Sequence, residues 1–296
     1  AAQLADHDAG GLIVVTDLEP DDLQTRRIGS ASEREDISIP IFEMTEPAFE
    51  TLLDQLDLEL SDLTFASTTL PLGVQVRQSL VRLPLTTTLT ANVIGLLPGS
   101  EPELADQVIV VGANYDHIGG EPDGLLYPGA NHNASGVAGL LEVARVWRDE
   151  GYRPARSVLF VAWGAEELDS AGAAYYLEHP ALPLTQTVGV ISLDGIGAGE
   201  GRKLLYFGRR DHDAALIHPV DMGADQLGRR VWRRGSTGEG WHALFSQEEI
   251  PTLKLIWEEA EEGFYLSNDT VENIDLEKLA TGGEVLTLVL SWLAGQ

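Results

Sequence analysis

Five short polar runs bring together residue types that could share one chemical site. They are Asn114-Tyr115-Asp116-His117, Asn131-His132-Asn133, Glu166-Glu167, Asp194-Gly195 and the stretch from Phe264-Tyr265 to Asp269-Thr270. Carboxylates in such runs can move protons, and carboxylates with imidazoles can hold a metal. Cysteine is absent. Disulfides, thiolate nucleophiles and thiolate zinc sites within the chain are thereby excluded, and any metal must be held by His, Asp or Glu.

These runs need elements to position them, and the apolar pattern supplies candidates. Val93 to Leu97 and Val108 to Val111 read as adjacent strands. Val137, Leu140, Leu141, Ala144 and Trp147 mark an amphipathic helix. Ser157 to Trp163 is a nearly continuous apolar run, the signature of a strand buried on both faces and hence of a parallel sheet covered by helices. A helix over 171–177, strands over 188–193, 204–207 and 251–256, and a closing helix with Leu286, Val289, Leu290 and Leu293 on one face continue the alternation. Strands alternating with helices predict a doubly wound α/β domain, whose ligands sit beyond the carboxyl ends of the strands. Four of the five polar runs fall at or near such ends.

The preceding residues read as a smaller α/β unit. A strand is predicted over Leu12 to Val15 and another over Ile37 to Met44. Thr45 caps a helix starting near Pro47 whose Phe49, Leu52, Leu53 and Leu56 form one face. Leu18 to Asp36 is a polar excursion, and strand-like segments lie around 74–85.

The 296 residues are 44% hydrophobic and 22% charged, an ordinary globular composition. With 47 acidic against 19 basic residues the net charge is −28. Such a surface repels phosphate backbones, so nucleic acid and anionic membranes are not expected partners. No apolar run approaches the ~20 residues of a membrane span. Arginines 209, 210, 229, 230, 233 and 234 form a local basic cluster. It reads either as a receptor for carboxylates or as a solvated face paired with neighbouring acids. The chain opens with Ala1 and shows no signal-peptide pattern, so it reads as processed or as a fragment.

Taken in order, Pro128-Gly-Ala-Asn-His-Asn-Ala-Ser-Gly136, Gly164-Ala-Glu-Glu167 and Asn268-Asp-Thr270 resemble the di-zinc aminopeptidase family. That superfamily includes leucyl aminopeptidases, glutamate carboxypeptidase, glutaminyl cyclase, nicastrin and the transferrin receptor. The resemblance covers Leu89 to Gln296 and implies a three-layer zinc-exopeptidase-like α/β domain with a mixed, mostly parallel sheet over 89–296. Residues 1–88 resemble, more weakly, part of a protease-associated domain. The resemblance also favours an extracellular or cell-envelope setting.

By this resemblance, Asn114, His132, Glu167, Asp194 and Tyr265 occupy the five zinc-ligand positions, and Glu166 that of the general base. The family has histidine, a bridging aspartate and histidine where this chain has Asn114, His132 and Tyr265. Asp116 holds the position that orients the first ligand, and His117 is common beside it without being a ligand. Trp241 and His242 fall near the pocket, where Trp241 could fill space left by a metal.

Three substituted positions leave each zinc with at most one of its usual ligands. An amide is a weak donor, one imidazole cannot bridge two dications, and a phenol with a reference pKa of about 10 is a poor ligand at neutral pH. The leading expectation is therefore a non-catalytic homologue without a metal cofactor, binding peptide or protein. Glu166 is then vestigial, and Glu167 and Asp194 are compensated by donors from Asn114, His132 and Tyr265. The alternative is a zinc-dependent aminopeptidase with an altered site, His132, Glu167 and Asp194 being its single-metal set. An oxygen-rich calcium or magnesium site from Asn114, Glu167 and Asp194 is a further option.

Overall fold

The computed structural model describes residues 10–16, 39–58, 75, 77, 88–120, 124–209, 211–235 and 240–295. The chain divides into two units, Ala1–Leu89 and Thr90–Gln296.

In the smaller unit β1 (Leu12–Thr16) pairs in parallel with β2 (Ile41–Thr45), Leu12 opposite Ile41. Helix α1 (Glu46–Asp54) begins where predicted. Thr45 Oγ1 accepts the Ala48 N–H at 3.4 Å, and Pro47 occupies the first turn, where its missing N–H costs nothing. Of the predicted apolar face only Leu53 is fully buried, with Phe49, Leu52 and Leu56 half-buried. The polar excursion at 18–36 and all of the 74–85 segment except residues 75 and 77 lie outside the described residues.

The larger unit is built on a seven-stranded sheet. Its strands are β3 (Val93–Leu97), β4 (Val108–Asn114), β7 (Ser157–Trp163), β8 (Thr187–Leu193), β9 (Leu204–Phe207), β10 (Val231–Arg234) and β11 (Thr252–Trp257). A two-residue pair, β5 (Gly119–Gly120) and β6 (Leu126–Tyr127), forms a separate antiparallel ladder. The sheet order is β10-β9-β11-β8-β4-β7-β3. The pairings β10–β9, β11–β8, β8–β4 and β4–β7 are parallel, while β11–β9 and β7–β3 are antiparallel. The sheet is thus mixed and mostly parallel.

Period-two alternation fills both faces. Ile109, Val111 and Ala113 of β4, with Val158 and Phe160 of β7, enter one apolar cluster. Val108 and Val110 of β4, with Leu159, Val161 and Trp163 of β7, enter the other. The first cluster is covered by α2 (Ser135–Asp149), α4 (Ala214–Gln226) and α6 (Leu276–Gly295), through Trp147, Val220 and Leu286 among others. The second is covered by α3 (Ala171–Glu178) and α5 (Trp241–Gln247), through Tyr176 and Phe245.

Three expectations need correction. β3 and β4 are not neighbours, because β7 lies between them and pairs with both. Leu141 does not share the buried face of α2 and is 63% exposed. Strand β10 and helix α4 were not anticipated. β10 is a four-residue edge strand ending in two arginines, and α4 carries Pro219 inside it. Among the described residues no helix is long and apolar enough to cross a membrane.

Candidate functional site

The parallel strands deliver the polar runs to one edge of the sheet. Asn114 ends β4 opposite Trp163, the last residue of β7, and the Asp194 N–H bonds the Leu255 carbonyl at 3.0 Å just past β8. Ahead of α2, a turn of backbone carries Asn131, His132 and Asn133, all buried. Asp269 holds this turn from outside: its carboxylate accepts the N–H groups of Asn131 at 2.7 Å and His132 at 3.0 Å. Asn131 Oδ1 in turn accepts the Gly197 N–H at 2.9 Å.

Asn114 turns away from the carboxylates it was expected to compensate. Its Oδ1 accepts from Asn133 Nδ2 at 2.8 Å, and its Nδ2 donates to the Asp116 carbonyl at 3.2 Å. Asp116 braces the loop after β7, its two oxygens accepting the N–H groups of Glu166 at 3.0 Å and Glu167 at 3.3 Å. Glu166 Oε1 accepts the Trp241 N–H at 2.9 Å. Burial lifts the Glu166 carboxyl to about 7, against the pull of the Ser170 side chain and the Trp241 amide and with help from the charges of Asp194 and Glu167. The Trp241 ring joins the apolar cluster below the sheet, 5.1 Å from Trp163, so its contribution to the site is the backbone N–H.

His132 stands at the centre. Its Nδ1 lies 3.8 Å from Glu167 Oε1 and its Nε2 3.4 Å from Asp194 Oδ1. The two carboxylates therefore sit at different ring nitrogens and cannot meet one metal through a single lone pair. Phe264 stacks on the His132 ring at 4.0 Å. His117 Nδ1 is 3.6 Å from Glu167 Oε1, and Tyr265 lies parallel to the His117 ring at 5.7 Å. Tyr265 hydrogen-bonds Glu167; burial first, then Glu167 and Asp194, push its phenol above the ordinary range.

Lys254 was missed by sequence reasoning. It lies on β11 between leucines, 5% exposed, with Nζ 3.2 Å from Asp194 Oδ2 and 3.0 Å from Glu261 Oε1. Burial opposes its charge, but Asp194 and Glu261 outweigh it and raise its pKa. The signal was present: Lys254 is one of only three lysines in the chain and interrupts an apolar strand. Burial, with the positive charge of Lys254, lowers His242 to about 4, so its imidazole is neutral at pH 7.

The family's zinc pair does not fit these residues. Asn114 is engaged with Asn133, Tyr265 is held protonated on Glu167, and an ammonium already sits on Asp194. Nor do Asn114, Glu167 and Asp194 form an oxygen cage, since Asn114 Oδ1 is taken. Within the arginine cluster, Arg229 approaches Glu277 at 3.7 Å, Arg234 approaches Glu258 at 3.8 Å, and Arg233 bonds the Gly208 carbonyl at 3.3 Å. Arg210 lies outside the described residues.

Comparison with known proteins agrees with the fold. The aminopeptidase YwaD of Bacillus subtilis (strain 168) is 28% identical over 204 residues, 66% of this chain and 43% of its own length. Transferrin receptor protein 1 of Gallus gallus is 36% identical over 108 residues, 35% of this chain and 13% of the receptor. This chain therefore spans less than half the length of either relative. The structure of BSAP, a zinc aminopeptidase from Bacillus subtilis, superposes with a TM-score of 0.59 at 24% identity, covering 69% of this chain and 50% of that one. The description of peptidase family M28 matches residues 92–290, nearly the whole larger unit, and the chain belongs to that family.

Proposed function

We propose that this chain is a non-catalytic member of its peptidase family, binding a peptide or protein through the former active-site pocket or the smaller unit. The observation that carries this reading is the Lys254 ammonium on Asp194. A protein cation there supplies positive charge without the Lewis acidity or the acidified water that peptide hydrolysis draws from zinc. The amide at 114 and the phenol at 265 add to it, since neither replaces an imidazole as a ligand. The transferrin receptor relative supports a binding role by analogy of family.

A second reading, an altered aminopeptidase, draws on Glu166. Its carboxyl at about 7 is placed where a general base works best. One experiment separates the two. Aminoacyl-anilide substrates are incubated with the protein in chelator and in added zinc, and binding of fluorescent peptides is followed by anisotropy. The proposed reading predicts peptide binding that survives chelator and no turnover in either condition. Zinc-dependent turnover abolished by Glu166→Gln would establish the second reading instead.

A further inference from the structure

The sheet of the larger unit ends in an open edge whose charge is opposite to that of the chain. β10 is the last strand in the order and pairs with β9 alone among the described residues. In a parallel ladder a strand turns alternate N–H and C=O groups to its neighbour, so the remaining groups of β10 face outward. Around that edge stand Arg229, Arg230, Arg233 and Arg234, all exposed. Four of the 19 basic residues thus fall within six consecutive positions of a chain that carries 47 acids.

The acids nearby do not answer this charge. Of the four arginines only Arg229 and Arg234 approach acids among the described residues. Arg229 meets the exposed Glu277 at 3.7 Å, and Arg234 meets Glu258 at 3.8 Å, where Glu258 Oε1 already accepts Lys203 Nζ at 2.8 Å. Loose pairs at an exposed surface contribute little. Arg233 Nη1 reaches the neutral Gly208 carbonyl. Just past the β9–β10 ladder, Arg209 buries Nε and Nη2 without a hydrogen-bond partner. Those two N–H groups form the parallel fork that a guanidinium offers to a carboxylate. This end of the sheet therefore holds more positive charge than its own acids engage.

Geometry and charge together select the occupant. A second copy of β10 laid along the edge sets arginine against arginine, which is unfavourable. An acidic strand does the reverse. Arg233 and Arg234 are consecutive in a strand and so lie on opposite faces of the sheet. Two consecutive acids in an added strand likewise place one carboxylate on each face. We propose that the open edge of β10 takes up a short, extended acidic peptide segment as an added strand, its main chain pairing with β10 and its carboxylates with Arg233 and Arg234. The net charge of −28 opposes a long acidic partner. Screening over about 8 Å at physiological salt lets the adjacent arginines dominate for a short one. In the sheet β9 and β11 separate β10 from β8, whose end leads to Asp194. This surface is thus separate from the pocket and does not rest on the proposed function.

The probe is a capped, fluorophore-labelled peptide of three Val-Glu-Glu repeats, titrated with the protein and followed by anisotropy. Saturable binding is expected. It should vanish when every Glu of the peptide is replaced by Gln, and weaken about tenfold in the double variant Arg233→Gln, Arg234→Gln. Both arginines are exposed, so the variant should keep the parent's melting temperature. A peptide held in the pocket would ignore that variant. Two further peptides carry N-methyl groups on one or the other set of alternate amides and need no protein variant. Strand addition predicts that one set abolishes binding and the other spares it, because only alternate N–H groups face β10. No binding, undiminished binding of the Gln peptide or by the double variant, or the same affinity for both methylated peptides would overturn the proposal. So would a dimer in sedimentation that the double variant abolishes, since it would assign the edge to a second copy.

Discussion

At the scale of single residues, the site is a rearrangement of charge. Lys254 is buried and pairs with Asp194, which is partly exposed, and with Glu261. Removing the ammonium strips a partly buried carboxylate of its charged partner, at a cost of about 1–3 kcal/mol. Lys254→Met is therefore expected to lower unfolding stability in urea by about that much, and adding Asp194→Leu to recover part of it. An unchanged midpoint in Lys254→Met would show that Asp194 does not depend on the ammonium. The motif residues were legible in sequence because they stand in runs with fixed spacing. Lys254 stood out as a rare lysine in an apolar strand, but its partner did not, because such a lysine looks the same whether its amine reaches solvent or turns inward. The orientation of Asn114 was equally hidden, since an amide offers both a donor and an acceptor and only the position of Asn133 decides between neighbours.

At the scale of elements, the apolar strands β4, β7 and β8 were readable because burial on both faces demands unbroken hydrophobic runs. Their order was not: adjacency in sequence placed β3 beside β4, whereas β7 returns in parallel between them after α2. β10 was absorbed into the arginine cluster, since four residues with two arginines carry little strand signal. Close packing of α3 on the loop after β7 positions the Glu166-Glu167 pair. A Cβ at Gly172 would meet the Gly164 carbonyl oxygen at 2.1 Å, backbone against backbone. Gly172→Ala should thus push α3 off that loop and destabilise the protein by about 1–3 kcal/mol, read as a lowered denaturation midpoint. A neutral effect would mean the helix and loop are not in contact in solution.

At the scale of the whole molecule, 47 acidic residues against 19 basic ones leave a chain that repels itself. Screening at about 1 M salt shortens the Debye length to about 3 Å. The melting temperature should rise by at least about 3 °C between low and high sodium chloride, and a flat or falling value would show that the acids are already locally paired. The proposed non-catalytic role rests on the Lys254 ammonium occupying Asp194 in place of a metal. Zinc-edge anomalous diffraction from zinc-loaded crystals tests it most directly. No anomalous peak is expected on Asp194, with the Lys254 amine still bound to it. A peak coordinated by Asp194 with the lysine displaced would overturn it.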